Sequence, residues 1–191
     1  MKLIFATGNE NKMREIREIL AGRGYEILSM KEAGIDIDVE ENGKTFSENA
    51  LIKARAISEA SGELVLADDS GLEIDALGGE PGIYSARYMG HDTSYVEKNN
   101  NLIQRLEGVP DEKRTARFVC AIALVSFDKE VVKRATIEGI IGHEIAGENG
   151  FGYDPIFYVP EYGKTTAELN ADEKNAISHR GKALRAIREE L

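Results

Sequence analysis

Apolar and polar positions change period several times along the chain, and the changes mark out alternating strands and helices. Leu3 to Ala6 is an apolar run of strand length that leads into the turn-rich segment Thr7-Gly8-Asn9-Glu10-Asn11-Lys12. Beyond it Met13, Ile16, Ile19 and Leu20 recur at helical spacing until Gly22 and Gly24 stop the pattern, and Tyr25 to Ser29 reads as a second strand. Strand, helix, strand in that order opens an α/β domain. After a loop at Glu40-Glu41-Asn42-Gly43, Thr45 and Glu48 form a capping box ahead of Phe46, Ala50, Ala54 and Ile57, and Gly62 ends the helix. Leu64 to Ala67 is then a short buried strand. It delivers Asp68-Asp69-Ser70-Gly71 at its carboxyl end, where ligands sit in open α/β sheets.

In the second half, Ser94 and Glu97 cap a helix reaching about Leu106, and Arg117 to Phe127 with Val131 to Ile141 reads as a long β-hairpin divided by Asp128-Lys129. Glu148 to Pro155 is a glycine-rich loop, and Leu184, Ile187 and Leu191 give a closing helix its apolar stripe. No repeat or linker interrupts the pattern. The spacing therefore predicts a single domain over residues 1–191, in which any two lobes face each other across a cleft.

Composition narrows the function. The 42% hydrophobic and 30% charged content is that of a folded domain. With 24 Lys and Arg against 34 Asp and Glu the formal charge is −10, which opposes binding to nucleic acid or to an anionic membrane. A small polyanion remains compatible, because a few cations at one site outweigh a distant field once a divalent metal joins them. Cys120 is the single cysteine, so no intrachain disulfide and no Cys-based zinc site forms, and a reducing cytoplasm fits. The first apolar run is too short for a signal peptide, and no stretch is long enough to cross a bilayer.

Several segments carry candidate chemistry. Thr7 to Lys12 lies between strand and helix, where free N–H groups and the helix dipole attract anions, and it reads either as a triphosphate cradle or as a plain helix cap with Lys12 solvated. Asn49 and Lys53, one turn apart, either present an amide and an ammonium to phosphate or form a solvated face. At Asp68-Asp69, alternation along a strand sends the two carboxylates to opposite sides, so one faces a given site. Asp69 is the candidate Mg²⁺ ligand or proton acceptor; the bland alternative is an Asx turn closed by Ser70 and Gly71. Glu40-Glu41 either supplies a second oxygen ligand or is solvated. Phe151 and Tyr153, among glycines and beside Asp154, suit a nucleobase or the core. Lys174-Asn175 and Ser178-His179-Arg180 gather donors, and His179 and Arg180 suit a purine 6-oxo group better than a 6-amino group. His91, His143 and Cys120 read as structural, and Arg87 is undecided.

Taken together, Ala6-Thr7-Gly8-Asn9, Thr45 to Ala50, Ala67 to Leu72, Pro81 to Gly90, Phe151 to Pro155 and Ser178-His179-Arg180 resemble the inosine triphosphate pyrophosphatase family, in the family's order and over nearly the whole chain. The resemblance implies a long central mixed sheet flanked by helices, two lobes around a deep central groove, and a homodimer. It implies a purine nucleoside triphosphate substrate such as ITP, dITP or XTP, cut to the monophosphate and pyrophosphate with Mg²⁺; by ligand chemistry alone, Mn²⁺ is the alternative. In such a protein Thr7, Gly8, Asn9, Glu10, Asn11, Lys12 and Lys53 hold the phosphates. Asp69 is general base and metal ligand, and Glu40 is the other metal ligand, with its neighbour Glu41 the ambiguity. Ser70, Phe151, Gly152, Tyr153, Asp154, Lys174, His179 and Arg180 contact the nucleotide. The competing readings are a pyrophosphatase for modified pyrimidine nucleotides and a nucleotide-binding sensor without catalysis.

Overall fold

Seven strands and five α-helices follow the predicted alternation in a computed structural model that describes residues 1–191. Strand β1 (Lys2–Phe5) leads to helix α1 (Glu10–Ile19), strand β2 (Glu26–Ser29) and helix α2 (Phe46–Ser61). Strand β3 (Leu64–Ile74), helix α3 (Tyr95–Arg105), strand β4 (Thr115–Val125) and strand β5 (Glu130–Ile141) come next. Short strands β6 (Phe157–Val159) and β7 (Lys164–Thr165), then helices α4 (Ala171–Ile177) and α5 (His179–Arg188), complete the chain. The strands form one sheet in the order β2-β1-β3-β4-β5-β6-β7.

The sheet is mixed. β1 pairs in parallel with β2 on one side and β3 on the other, whereas β6 runs antiparallel to both β5 and β7. A strand covered on both faces needs a continuous apolar run, and Leu3, Ile4 and Phe5 supply it. The turn Ser126 to Lys129 joins β4 to β5, closed by the Ser126 N–H donating to the Lys129 carbonyl at 2.8 Å.

Contacts divide the chain into two units, each with its own core. The first comprises Met1–Ser70, Cys120–Ala135 and His179–Leu191. Its core packs Leu3, Phe5 and Leu66 of the sheet with Met13 and Ile16 of α1 and Ala183, Leu184 and Ile187 of α5. The second comprises Gly71–Val119 and Thr136–Ser178. It is built on Leu72, Leu102, Ile137, Tyr153, Ile156 and Phe157, with the Phe118 and Phe157 rings 4.3 Å apart.

Two differences from the sequence reading bear on the site. β3 does not stop at Ala67 but runs on to Ile74, so Asp68 and Asp69 lie inside a strand and the Asx turn does not form. Leu72 and Ile74 extend the buried alternation past the polar residues, and these anchors lie beyond the Ser70-Gly71 pair that read as a turn. Residues 171–177 form a helix where only a donor cluster was read, opened by an Asn170–Glu173 capping box. No helix is long and apolar enough to cross a membrane.

Candidate active site

The Asn9 side chain caps α1, its Oδ1 accepting from the N–H of Asn11 at 2.9 Å and of Lys12 at 3.3 Å. The cap reading of Thr7 to Lys12 therefore holds for Asn9. It fails for Lys12, whose ammonium is 3.0 Å from the Asp68 carboxylate instead of solvated. Gly8 has neither a positive φ nor any neighbour within 4 Å of where a Cβ would stand, so the fold itself does not demand glycine there.

Asp68 is fully buried. Burial alone would raise its carboxyl, but Lys12, Arg180 and Lys53 outweigh burial and hold it well below the usual carboxylate range. Asp69, its half-buried neighbour on the other face of β3, goes the opposite way. Burial is the largest cause, the Glu41 charge adds to it, and a hydrogen bond from Asn49 at 3.1 Å only partly offsets them, so the carboxyl is pushed up to about 6.

Helix α2 supplies the residues around this pair. Asn49 is 1% exposed and bridges two elements, its Nδ2 donating to Asp69 and its Oδ1 accepting the Gly43 N–H at 2.8 Å. Gly43 must be glycine, because a Cβ would stand 2.7 Å from Asn49 Oδ1. Lys53, one turn on, donates to the Asp68 carbonyl at 3.0 Å and pairs with Glu41 at 3.0 Å. Neither residue is on a solvated face. Of the two adjacent acids, Glu41 is turned to Lys53 and near enough to act on Asp69, whereas Glu40 is exposed.

The donor set admits a hard divalent cation. No group of three or more His, Cys, Asp or Glu is gathered for a metal, which disfavours a closed zinc-type site. Mg²⁺ is commonly held by one or two carboxylates, with waters and phosphate oxygens completing the shell, and Asp69 with Glu41 has that character.

The remaining sequence candidates fall in two places. Ser70, His179 and Arg180 belong to the first unit, where Ser70 Oγ accepts from Arg180 at 3.0 Å and His179 and Arg180 open α5, both buried. Phe151 to Asp154 and Lys174 belong to the second. There Asp154 is buried, accepting from the Phe151 N–H at 2.9 Å and from Lys174 Nζ at 2.7 Å, while the Lys174 ammonium lies 4.8 Å from the centre of the half-buried Phe151 ring. Tyr153 is a core residue, its hydroxyl donating to the Ser85 carbonyl at 2.6 Å and its ring edge-on to Tyr95. Arg87 is exposed and lies over the Tyr84 ring.

The fold and site define a mixed-sheet α/β protein that sets a carboxyl of raised pKa beside two lysines at one strand, an arrangement suited to phosphate anions. Comparison with known proteins narrows the class. The Ham1 family model matches residues 3–190. A dITP/XTP pyrophosphatase of Caldanaerobacter subterraneus is 51% identical over 190 residues, covering 99% of this chain and 95% of that protein. Solved structures of a HAM1 protein from Coxiella burnetii and of the Staphylococcus aureus Ham1 protein superpose with TM-scores of 0.90 and 0.89, each at 42% identity and covering 99% of this chain and 97% of theirs. The chain belongs to the Ham1 family, in agreement with the resemblance carried by its motifs.

Proposed function

We propose that this chain hydrolyses deaminated purine nucleoside triphosphates, among them ITP, dITP and XTP, to the monophosphate and pyrophosphate. The activity named for its full-length relatives supports the reaction. The observation that carries the assignment to residues is the Asp69 carboxyl pushed up to about 6, beside Lys53 and Lys12. In the metal-free protein such a group is mostly ionised at neutral pH yet a better proton acceptor than an ordinary carboxylate.

Asp69 takes a proton from the water that attacks the α-phosphorus, and the bond to the leaving pyrophosphate breaks. Lys12, at the start of α1, and Lys53 hold the phosphates and neutralise charge there. The open space at Gly8 suits a phosphate approaching the backbone closely. Asp68, ion-paired and charged at neutral pH, serves as counter-ion to the basic groups. Asp69 and Glu41 would hold Mg²⁺, which when bound shields charge on the departing pyrophosphate. Mn²⁺ accepts the same donors. Asn49 does not reach phosphate in this scheme; it orients Asp69.

Product analysis tests the proposal. ITP with Mg²⁺ should give IMP and pyrophosphate, with dUTP and methylated dCTP turned over poorly. Asp69→Asn should lower kcat by about 10²–10⁴-fold with the fold retained. IDP with phosphate as products would relocate the cleaved bond, and saturable ITP binding without turnover would leave a sensor.

A further inference from the structure

Helix α1 carries a buried charged residue three positions beyond Lys12. Glu15 is only 6% exposed, between the core residues Met13 and Ile16, and its Oε2 accepts from Nη1 of Arg180, itself 2% exposed. Arg180 continues the chain of contacts. Its Nε donates to Oδ2 of Asp68 at 3.3 Å and its Nη2 to Oγ of Ser70 at 3.0 Å, while the Ser70 hydroxyl donates to that same Asp68 oxygen at 3.3 Å. Asp68 in turn receives Lys12 Nζ, 3.1 Å from Oδ1 and 3.0 Å from Oδ2. The charges alternate from Glu15 to Arg180, Asp68 and Lys12.

A guanidinium fork matches a carboxylate best through two parallel bonds. Arg180 divides its fork, with Nε on Asp68, Nη1 on Glu15 and Nη2 on Ser70. Lys12 meets the same Asp68 carboxylate at both oxygens. We infer that Glu15 is a positioning residue: by holding one arm of Arg180 it keeps Asp68 and Ser70 in place, and so fixes Lys12 for the substrate phosphates. The inference rests on the proposed role of Lys12 at the phosphates. It does not require that the bound nucleotide be hydrolysed.

Three roles for Glu15 separate by sign. A negative charge acting only through space repels a polyanion, so its removal tightens binding. A pair that only stabilises the fold lowers the melting temperature and leaves affinity unchanged well below it. A positioning residue weakens phosphate binding. Calorimetric titration of the whole protein with inorganic pyrophosphate and Mg²⁺, well below the melting temperature, reads the difference. Glu15→Gln should weaken pyrophosphate binding about tenfold, equivalent to roughly 1.4 kcal/mol. Its KM for ITP should rise in parallel, while kcat, set by Asp69, falls by less. Glu15→Asp keeps the charge and shortens the reach, so it should lose affinity to a smaller degree, and it carries the test if the Gln variant does not fold. Unchanged or tighter pyrophosphate binding in the variant that folds overturns the inference. A wild-type protein that binds pyrophosphate but leaves ITP intact would defeat the pyrophosphatase proposal and not this one; ITP turnover with unaltered affinity in the Glu15 variant would do the reverse.

Discussion

A strand sends successive side chains to opposite faces, and at Asp68 and Asp69 this places two identical carboxyl groups in surroundings that shift their titration in opposite directions. The first is enclosed by cations. The second is crowded by burial and by Glu41. If Glu41 shares a cation with Asp69, Glu41→Gln should weaken Mg²⁺ binding to the nucleotide-free protein at least about tenfold, as loss of a direct ligand does, whereas the exposed Glu40→Gln should have little effect. Calorimetry with Mg²⁺ alone decides, and equal losses in both variants would reject the choice of Glu41. Strand parity made the division between Asp68 and Asp69 legible in the sequence. The inward roles of Asn49 and Glu15 were not, because a polar residue beside an apolar stripe looks solvated until the partner that receives it is known. Glu15 left no distinguishing signal, because Arg14 also lies between the core positions Met13 and Ile16 and is exposed.

Elements here are held together at their ends as much as along their faces. Arg114, 1% exposed, donates at 2.8 Å to the carbonyls of Leu106, Ile141 and Gly142, so one guanidinium closes the end of α3 and the end of β5. Arg114→Met should cost about 3 kcal/mol or more, since several buried acceptors lose their donor together. Urea denaturation measures it, and a loss below about 1 kcal/mol would show that the carbonyls find other partners. The long strands and capped helices are legible because period and caps agree, although at α2 only half of the box forms: Thr45 caps the Glu48 N–H, while Glu48 reaches back to the Lys44 N–H. The end of β3 is not legible in the sequence because Ser70-Gly71 has the chemistry of a turn, and only long-range pairing in the sheet overrides it. β6 and β7 are too short to show a period, and α4 was read only as a group of donors.

At the scale of the molecule, the two acids give stability opposite slopes against pH. Asp69 holds its proton more tightly when folded, up to about 6, so it costs stability as pH rises from about 4, the ordinary carboxylate value, and the cost is complete above 6. Asp68, held low, contributes stability that is present above about 4 and is lost as pH falls through its lower folded value. These two acids together should therefore make the metal-free protein most stable near about pH 4, with stability falling between about pH 4 and 6. Melting temperatures in EDTA from pH 4 to 8 should decline up to about pH 6 and level off beyond it for the wild type, and stay flatter for Asp69→Asn. A decline of the same size in that variant would place its origin elsewhere. The first unit also joins both ends of the chain, and its closing segment, His179–Leu191, brings Arg180 to Asp68 and sets Ala183, Leu184 and Ile187 into the core. Deleting His179–Leu191 would remove one of the cations facing Asp68 together with a layer of apolar side chains, so charge balance and core packing in this unit depend on the same stretch of chain.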